Sequence, residues 1–146
     1  MKKFAKIAFL FPGQGAQYPG MAKDFVEQFS VAKQTFEEAD DILGRKLSKI
    51  ILEGPENVLT ETKNSQVGIY TASIAMLRVL HELFPDLKAS VFAGLSLGEY
   101  TALSASSHLA FEHGLTLVQH RGQFMNDACE ATKGTMAVVL GLEGHE

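Results

Sequence analysis

A serine lies between two glycines in the segment Gly94–Gly98, which has the pattern Gly-x-Ser-x-Gly. An apolar run, Ser90–Ala93, precedes it and a run rich in small residues, Thr101–Ala105, follows it, so the pattern predicts a strand, a sharp turn and a helix. In such a nucleophile elbow the glycines allow close packing, and the serine is strained with its hydroxyl exposed. Ser96 is therefore a candidate nucleophile beside a helix amino end that suits an oxyanion. The alternative is an ordinary strand-to-helix turn with a capping serine.

A serine hydroxyl needs a base to take its proton, and that base is usually a histidine. The five histidines of the chain are His81, His108, His113, His120 and His145. In enzymes with this elbow the base follows the serine well downstream. Each of the five has an ordinary structural explanation, such as a cation near a helix end. The sequence therefore predicts a nucleophile but indicates no convincing base.

A nucleophile elbow of this kind requires an α/β architecture with a parallel sheet. The continuous apolar run Lys6–Phe11 predicts a strand buried on both faces. The loop 12–20 that follows is rich in glycine and proline, and ligands bind at this end of open α/β sheets. Gly13 and Gly15 begin like a dinucleotide fingerprint, but Tyr18 occupies the third glycine position, so we expect no nucleotide site.

Helical spacing of apolar residues extends over most of the remaining chain. It predicts helices over Met21–Phe29, Val31–Leu43, Leu47–Leu52, Glu56–Thr62, Ser65–Leu83 and from Phe111 to Met125 or slightly beyond. The helix 65–83 is apolar nearly all round, so we expect it in the core, with Ser65 as its cap. A further strand is predicted over Thr135–Leu140.

The composition of the 146 residues is that of a globular protein, with 46% hydrophobic and 21% charged residues. A net charge of -4 without long blocks of one sign argues against nucleic acid as a partner. The single cysteine, Cys129, excludes an intrachain disulfide. The apolar run after the amino terminus ends too early, at Pro12, for a signal peptide, and no run is long enough for a membrane span. We therefore expect a cytoplasmic protein that does not act at a membrane.

Four segments together resemble malonyl-CoA:acyl-carrier-protein transacylases and the acyltransferase domains of fatty-acid and polyketide synthases. In the order and spacing of that family, they are Phe11–Gln17, Gly94–Tyr100, His120–Met125 and Gly134–Ala137. The resemblance implies an α/β fold: a parallel-sheet, hydrolase-like acyltransferase subdomain with a nucleophile elbow. It places residues 1–133 in the N-terminal part of that subdomain and residues 134–146 at the first strand of an incomplete, small ferredoxin-like subdomain.

The resemblance also implies roles for individual residues. Ser96 would be the catalytic residue acylated by malonyl-CoA, and the backbone N–H groups of Gln14 and Leu97 would form the oxyanion hole. Arg121 would bind the malonyl carboxylate in a bidentate pair, which a planar guanidinium suits, and Gln66 would line the site. The malonyl group would pass to the phosphopantetheine thiol of acyl carrier protein in fatty acid biosynthesis. No metal and no redox cofactor is implied.

The chain departs from the family pattern at three points. Leu95 stands where the family usually has histidine, and Val67 stands where proline is common. The catalytic histidine of the family lies in a later segment, so we expect this chain to be roughly the N-terminal half, nearly inactive without the C-terminal half. Two other interpretations stay open. One is a serine esterase or thioesterase, which would not need Arg121, and the other is a non-catalytic half-domain used in assembly.

Overall fold

The computed structural model describes residues 6–132 and Gly141, and this part of the chain forms two strands and seven helices. The elements are, in chain order, β1 (Ala8–Phe11), α1 (Lys23–Gln28), α2 (Ser30–Leu43), α3 (Leu47–Glu53), α4 (Glu56–Thr60), α5 (Thr62–Leu83), β2 (Val91–Gly94), α6 (Leu97–Ala105) and α7 (Phe111–Thr132). The predicted α/β class is therefore confirmed. The strand predicted over 135–140, and with it the ferredoxin-like subdomain, lies outside the described residues.

The two strands pair in parallel, and their carboxyl ends are level. Ala8 pairs with Val91 at one end of the ladder, and Phe11 pairs with Gly94 at the other. The N–H of Leu95 then donates to the carbonyl of Phe11 over 3.2 Å, just beyond the ladder. Consequently the glycine-rich loop after β1 and the Ser96 turn after β2 leave the sheet at the same edge.

One prediction about β1 is wrong for the described part of the chain. The sequence predicts a strand buried on both faces, but side chains along β1 alternate between exposed and half-buried. Phe9 and Phe11 pack against the core, whereas Leu10 is 75% exposed. The physical reason is that the described sheet has two strands, and no described element covers the face that bears Leu10.

Helix α5 forms the centre of the core, as its sequence predicts. Fourteen of its 22 residues are buried, and it contacts α2, α6 and α7. The predicted cap at Ser65 is wrong, because the helix begins three residues earlier, at Thr62. The early start is held from outside the helix: the Arg45 guanidinium donates to Asn64 Oδ1 over 2.8 Å, and the Asn64 amide donates to the carbonyl of Val58 over 2.9 Å.

Helix α7 runs seven residues beyond Met125 and crosses closely over the start of α5. A Cβ atom on Gly122 would lie 3.1 Å from the carbonyl oxygen of Thr62 and 3.2 Å from the Cα of Lys63. A larger residue at 122 would therefore push the two helices apart. This close approach places the neighbouring residue, Arg121, beside the first turns of α5.

No helix within the described residues is both long and apolar enough to cross a membrane. Among the same residues, no group of three or more histidine, cysteine, aspartate or glutamate side chains is arranged to hold a metal ion.

Candidate active site

The turn between β2 and α6 has the geometry expected of a nucleophile elbow. The strand ends at Gly94, the helix begins at Leu97, and Ser96 between them has φ 54° and ψ −103°. A positive φ is uncommon for a residue with a Cβ atom, and such strain costs about 1–3 kcal/mol. Ser96 is also exposed. The predicted strain and exposure of Ser96 are thus confirmed.

Steric constraints explain both glycines of the elbow. A Cβ atom on Gly94 would overlap the carbonyl group of Gly98, so the strand could not turn directly into the helix. A Cβ atom on Gly98 would overlap the carbonyl group of Phe11, so α6 could not approach the end of β1. The two glycines therefore serve different contacts, one within the turn and one with the neighbouring strand.

At this edge of the sheet the backbone N–H groups of Gln14 and Leu97 have no acceptor among residues 6–132. Leu97 is the first residue of α6, where helical N–H groups have no partner within the helix. Gly13 brings the first loop to the elbow, because a Cβ there would lie 2.8 Å from the Leu95 carbonyl oxygen. The Gln14 side chain fastens the loop by donating to Thr62 Oγ1 over 3.2 Å. The oxyanion-hole role of the two N–H groups stays a prediction.

The Arg121 guanidinium reaches the serine hydroxyl. Its Nη2 donates to Ser96 Oγ over 2.8 Å, and its Nη1 donates to Gln66 Oε1. The guanidinium carbon also lies 5.8 Å from the centre of the Tyr100 ring, within the range of a cation–π contact. The structure thus brings together Ser96, Arg121 and Gln66, which lie far apart in the sequence.

Gln66 lies on α5, and its side chain is fully buried against α7. While its oxygen faces Arg121, its Nε2 donates to the sulfur of Met125 over 3.3 Å. Met125 follows Arg121 by four residues on α7, so both side chains lie on one face of the helix.

Sequence reasoning missed three of these contacts, those of Thr62, Tyr100 and Met125. Helical spacing was an available signal for two of them, because Tyr100 follows Ser96 and Met125 follows Arg121 by four residues. Nothing in the sequence indicated that Thr62 would meet Gln14, since their contact depends on how the first loop folds over α5.

Two of the three departures from the family pattern, Leu95 and Val67, are compatible with this geometry. Leu95, which replaces the usual histidine, is 73% exposed, and its Cγ would lie 3.6 Å from a Cβ on Gly13. Val67, which replaces the common proline, is fully buried inside α5.

None of the four histidines in the described part of the chain hydrogen-bonds to Ser96. His108 shares a hydrogen bond of 3.0 Å with Ser106, and the ring of His120 stacks on that of Phe124 with 6.2 Å between their centres. The fifth histidine, His145, lies outside the described residues. The described residues therefore bring together a candidate nucleophile, candidate oxyanion donors and a guanidinium that could bind a carboxylate, and none of the described histidines is hydrogen-bonded to that nucleophile.

Comparisons with known proteins show which family this chain resembles. A family model described as the acyl transferase domain matches residues 8–144. The malonyl CoA-acyl carrier protein transacylase of Bacillus subtilis is 48% identical over 141 residues, an overlap of 95% of this chain and 43% of that protein. The chain thus spans less than half the length of this curated relative.

Solved structures show the same fold. A crystal structure of the acyl-carrier-protein S-malonyltransferase of Bartonella henselae matches with a TM-score of 0.81 and 45% identity, over 84% of this chain and 40% of that one. A malonyl-transacylase solved in complex with a type II polyketide synthase acyl-carrier protein also matches with a TM-score of 0.81, at 40% identity, over 85% of this chain and 40% of that one.

Proposed function

Because the chain belongs to the acyl transferase domain family, we propose that it forms the nucleophile-bearing part of a malonyl-CoA:acyl-carrier-protein transacylase. A relative named for this activity, 48% identical to this chain, supports the proposal. So does the solved complex of a relative with an acyl-carrier protein, which supports the same kind of partner here.

The substrate class is inferred from the contact between Arg121 Nη2 and Ser96 Oγ, which are 2.8 Å apart. In a malonyl thioester a single methylene separates the carboxylate from the carbonyl under attack. A cation that binds the carboxylate must therefore lie directly beside the nucleophile. Arginine presents parallel donors that suit a carboxylate, and a charged acceptor binds them more strongly than a neutral hydroxyl does. The malonyl carboxylate would take Nη2 from Ser96 and leave the serine oxygen free to attack.

The proposed reaction consists of two ester exchanges. Ser96 Oγ forms a bond to the thioester carbonyl carbon, the carbon–sulfur bond breaks, and the serine proton passes through a base to the departing coenzyme A thiolate. The phosphopantetheine thiol of acyl carrier protein then attacks the carbonyl carbon of the malonyl-serine ester, the bond from that carbon to Ser96 Oγ breaks, and the thiol proton passes through the base to Ser96. The N–H groups of Gln14 and Leu97 would donate to the oxyanion formed in each step.

Three further features belong to the proposal. No oxidation state changes in these exchanges, and the arginine supplies the positive charge, so a reaction without metal or redox cofactor is proposed. A cytoplasmic location is proposed from the globular composition with its single cysteine. Residues 1–133 and 134–146 are proposed to belong to the hydrolase-like and ferredoxin-like subdomains respectively.

A transfer assay with the protein at its full natural length tests this function. Malonyl-CoA, acetyl-CoA and succinyl-CoA are supplied in turn with phosphopantetheinylated acyl carrier protein. We expect malonyl transfer to be fastest, because acetyl lacks the carboxylate and succinyl holds it one methylene too far away. Equal transfer of malonyl and acetyl groups would contradict the proposal. Rapid hydrolysis of neutral esters that is unaffected by Arg121→Ala would support the esterase interpretation instead.

A further inference from the structure

The Gln66 amide has one orientation that suits its surroundings. The side chain is fully buried, and its two ends face different partners. Arg121 Nη1 donates to the oxygen end, and arginine has donors only. If the amide were rotated by half a turn, its NH₂ group would face the guanidinium, and two donors would meet. Gln66 therefore helps to hold Arg121 next to Ser96 only while the amide oxygen points toward the guanidinium.

The other end of the amide depends on the sulfur of Met125. Gln66 Nε2 donates to Met125 Sδ over 3.3 Å, and no other described residue accepts a hydrogen bond from this NH₂ group. A thioether is a weak acceptor, but a buried NH₂ group without any acceptor is destabilising. The sulfur therefore favours the orientation in which the oxygen faces Arg121.

The close packing of α5 against α7 prevents another acceptor from replacing the Met125 sulfur as the partner of Gln66 Nε2. Gly122, between Arg121 and Met125, leaves no spare room against Thr62 and Lys63. The helices cannot move closer to bring another acceptor to Gln66. Removal of the sulfur would leave amide rotation, or loss of the Arg121 contact, as the ways to relieve the unpaired group.

We propose that Met125 is a positioning residue whose sulfur orients the Gln66 amide and, through it, holds the Arg121 guanidinium beside Ser96. The inference rests on the proposed function, since its consequence is selectivity for acyl thioesters that carry a carboxylate. Met125 acts through Gln66 rather than by contact with the acyl group.

The first test is Met125→Leu in the protein at its full natural length, measured with malonyl-CoA and acetyl-CoA. Leucine has nearly the volume of methionine but no acceptor. We expect KM for malonyl-CoA to rise about fivefold, the size of effect given by one lost hydrogen bond, with kcat within about twofold. The kcat/KM for acetyl-CoA should not change. Met125→Gln, which supplies a carbonyl acceptor, should restore the malonyl KM.

Met76→Leu is the matched control. Met76 lies on α5, is 37% exposed and lines the apolar groove beside β1, away from Ser96. The same chemical change there should leave both substrates unaffected. If Met125→Leu does not fold, the wild-type protein can be produced with norleucine in place of methionine, which exchanges each sulfur for a methylene with little change of shape. The Met125→Gln protein produced with norleucine is the control for the effect of the other methionines.

A double-mutant cycle with Gln66→Leu separates indirect from direct action. If Met125 acts through Gln66, Met125→Leu should have no further effect on malonyl KM in the Gln66→Leu background. Independent effects that add, or an unchanged malonyl KM in Met125→Leu, would overturn the inference. A wild-type protein without preference for malonyl over acetyl would instead overturn the proposed function.

Discussion

Two polar networks lie one helical turn apart on α5. The Gln66 network joins this helix to α7 and to the turn at Ser96, and the Tyr70 network joins it to α6 and α7. The Gln66 network ends at an exposed, strained serine and an arginine that shares its donors between neutral acceptors. The Tyr70 network is buried: the Tyr70 hydroxyl shares a hydrogen bond of 2.7 Å with Ser104 and donates to the Phe111 carbonyl over 3.2 Å. The Tyr70 ring also stacks on that of Phe111, with 5.6 Å between their centres.

The difference between the networks separates groups that contribute to stability from groups with the features expected of an active site. The Tyr70 network has satisfied its polar groups inside the core, so it contributes to the free energy of unfolding and offers nothing to a ligand. The Gln66 network retains strain at Ser96 and N–H groups without acceptors at Gln14 and Leu97. Such features cost stability and are useful only when a substrate is bound. Substitutions in the two networks should therefore have separable effects.

The largest expected effect is that of Ser96→Ala. Without the nucleophile, malonyl transfer should fall by about 10⁴-fold or more, because a missing catalytic nucleophile leaves only binding and oxyanion stabilisation. The free energy of unfolding should stay within about 0.5 kcal/mol, since Ser96 is exposed and alanine carries the same backbone strain. Steady-state transfer assays and urea unfolding measure the two quantities. Retained transfer would place the nucleophile elsewhere.

Arg121→Ala is expected to lower kcat/KM for malonyl-CoA by about 100-fold, through loss of charge-assisted hydrogen bonds to the carboxylate. Activity with acetyl-CoA should change little, because that substrate offers no carboxylate. Arg121→Lys is the matched variant that keeps the charge but not the parallel donors, and we expect it to recover only part of the loss. An equal fall for both acyl groups would show that Arg121 serves the elbow rather than the carboxylate.

Gly98→Ala should lower both stability and activity. The added methyl overlaps the Phe11 carbonyl, which is backbone and cannot rotate away, so we expect a loss of about 2–3 kcal/mol in the free energy of unfolding. Gly114→Ala is the comparison in the other network, where the added methyl would overlap the hydroxyl oxygen of the buried Tyr70 and lie 2.8 Å from its ring, so stability should fall there too. Its malonyl kcat/KM should stay near the wild-type value. A tolerated Gly98→Ala would contradict the close approach of α6 to β1.

Tyr70→Phe should have the smallest effect, about 1 kcal/mol of unfolding free energy and no change in malonyl selectivity. Burial raises the pKa of Tyr70 above its ordinary value of 10.0. The neutral phenol is therefore favoured in the folded protein, and its contribution, fully present below about pH 10, is lost as the pH rises further toward the folded-state pKa. The wild-type advantage over Tyr70→Phe should thus be constant up to about pH 9 and shrink as the pH rises above about 10 in urea unfolding. An advantage that stays constant above about pH 10 would contradict the burial of the hydroxyl.

Local sequence patterns predicted much of the fold of this molecule. The elbow could be predicted because its glycines, serine and flanking elements are consecutive, and the strain at Ser96 follows from the turn they must make. The start of α5 could not be predicted, because Arg45 and Asn64 hold its first turn through a contact between distant residues. The exposed face of β1 was also not predicted. An apolar run shows that both faces of a strand could be buried, but it does not show whether another element covers each face.

In the candidate site, too, local motifs predicted some features, and contacts between distant residues decided the others. Family motifs indicated Ser96, Arg121 and Gln66 one by one, and the structure adds that their side chains form a continuous chain of hydrogen bonds. Its continuation to Met125 depends on the rotamer of a buried amide, which no sequence motif specifies.

Mapping the covalent adduct on the wild-type protein tests the central claim most directly. The protein at its full natural length is mixed with malonyl-CoA in the absence of acyl carrier protein, quenched in acid and analysed by peptide mass spectrometry. The account predicts one malonyl group on Ser96 that disappears when phosphopantetheinylated carrier protein is added before the quench. A protein that transfers malonyl groups without this adduct, or that carries it on another residue, would contradict the account.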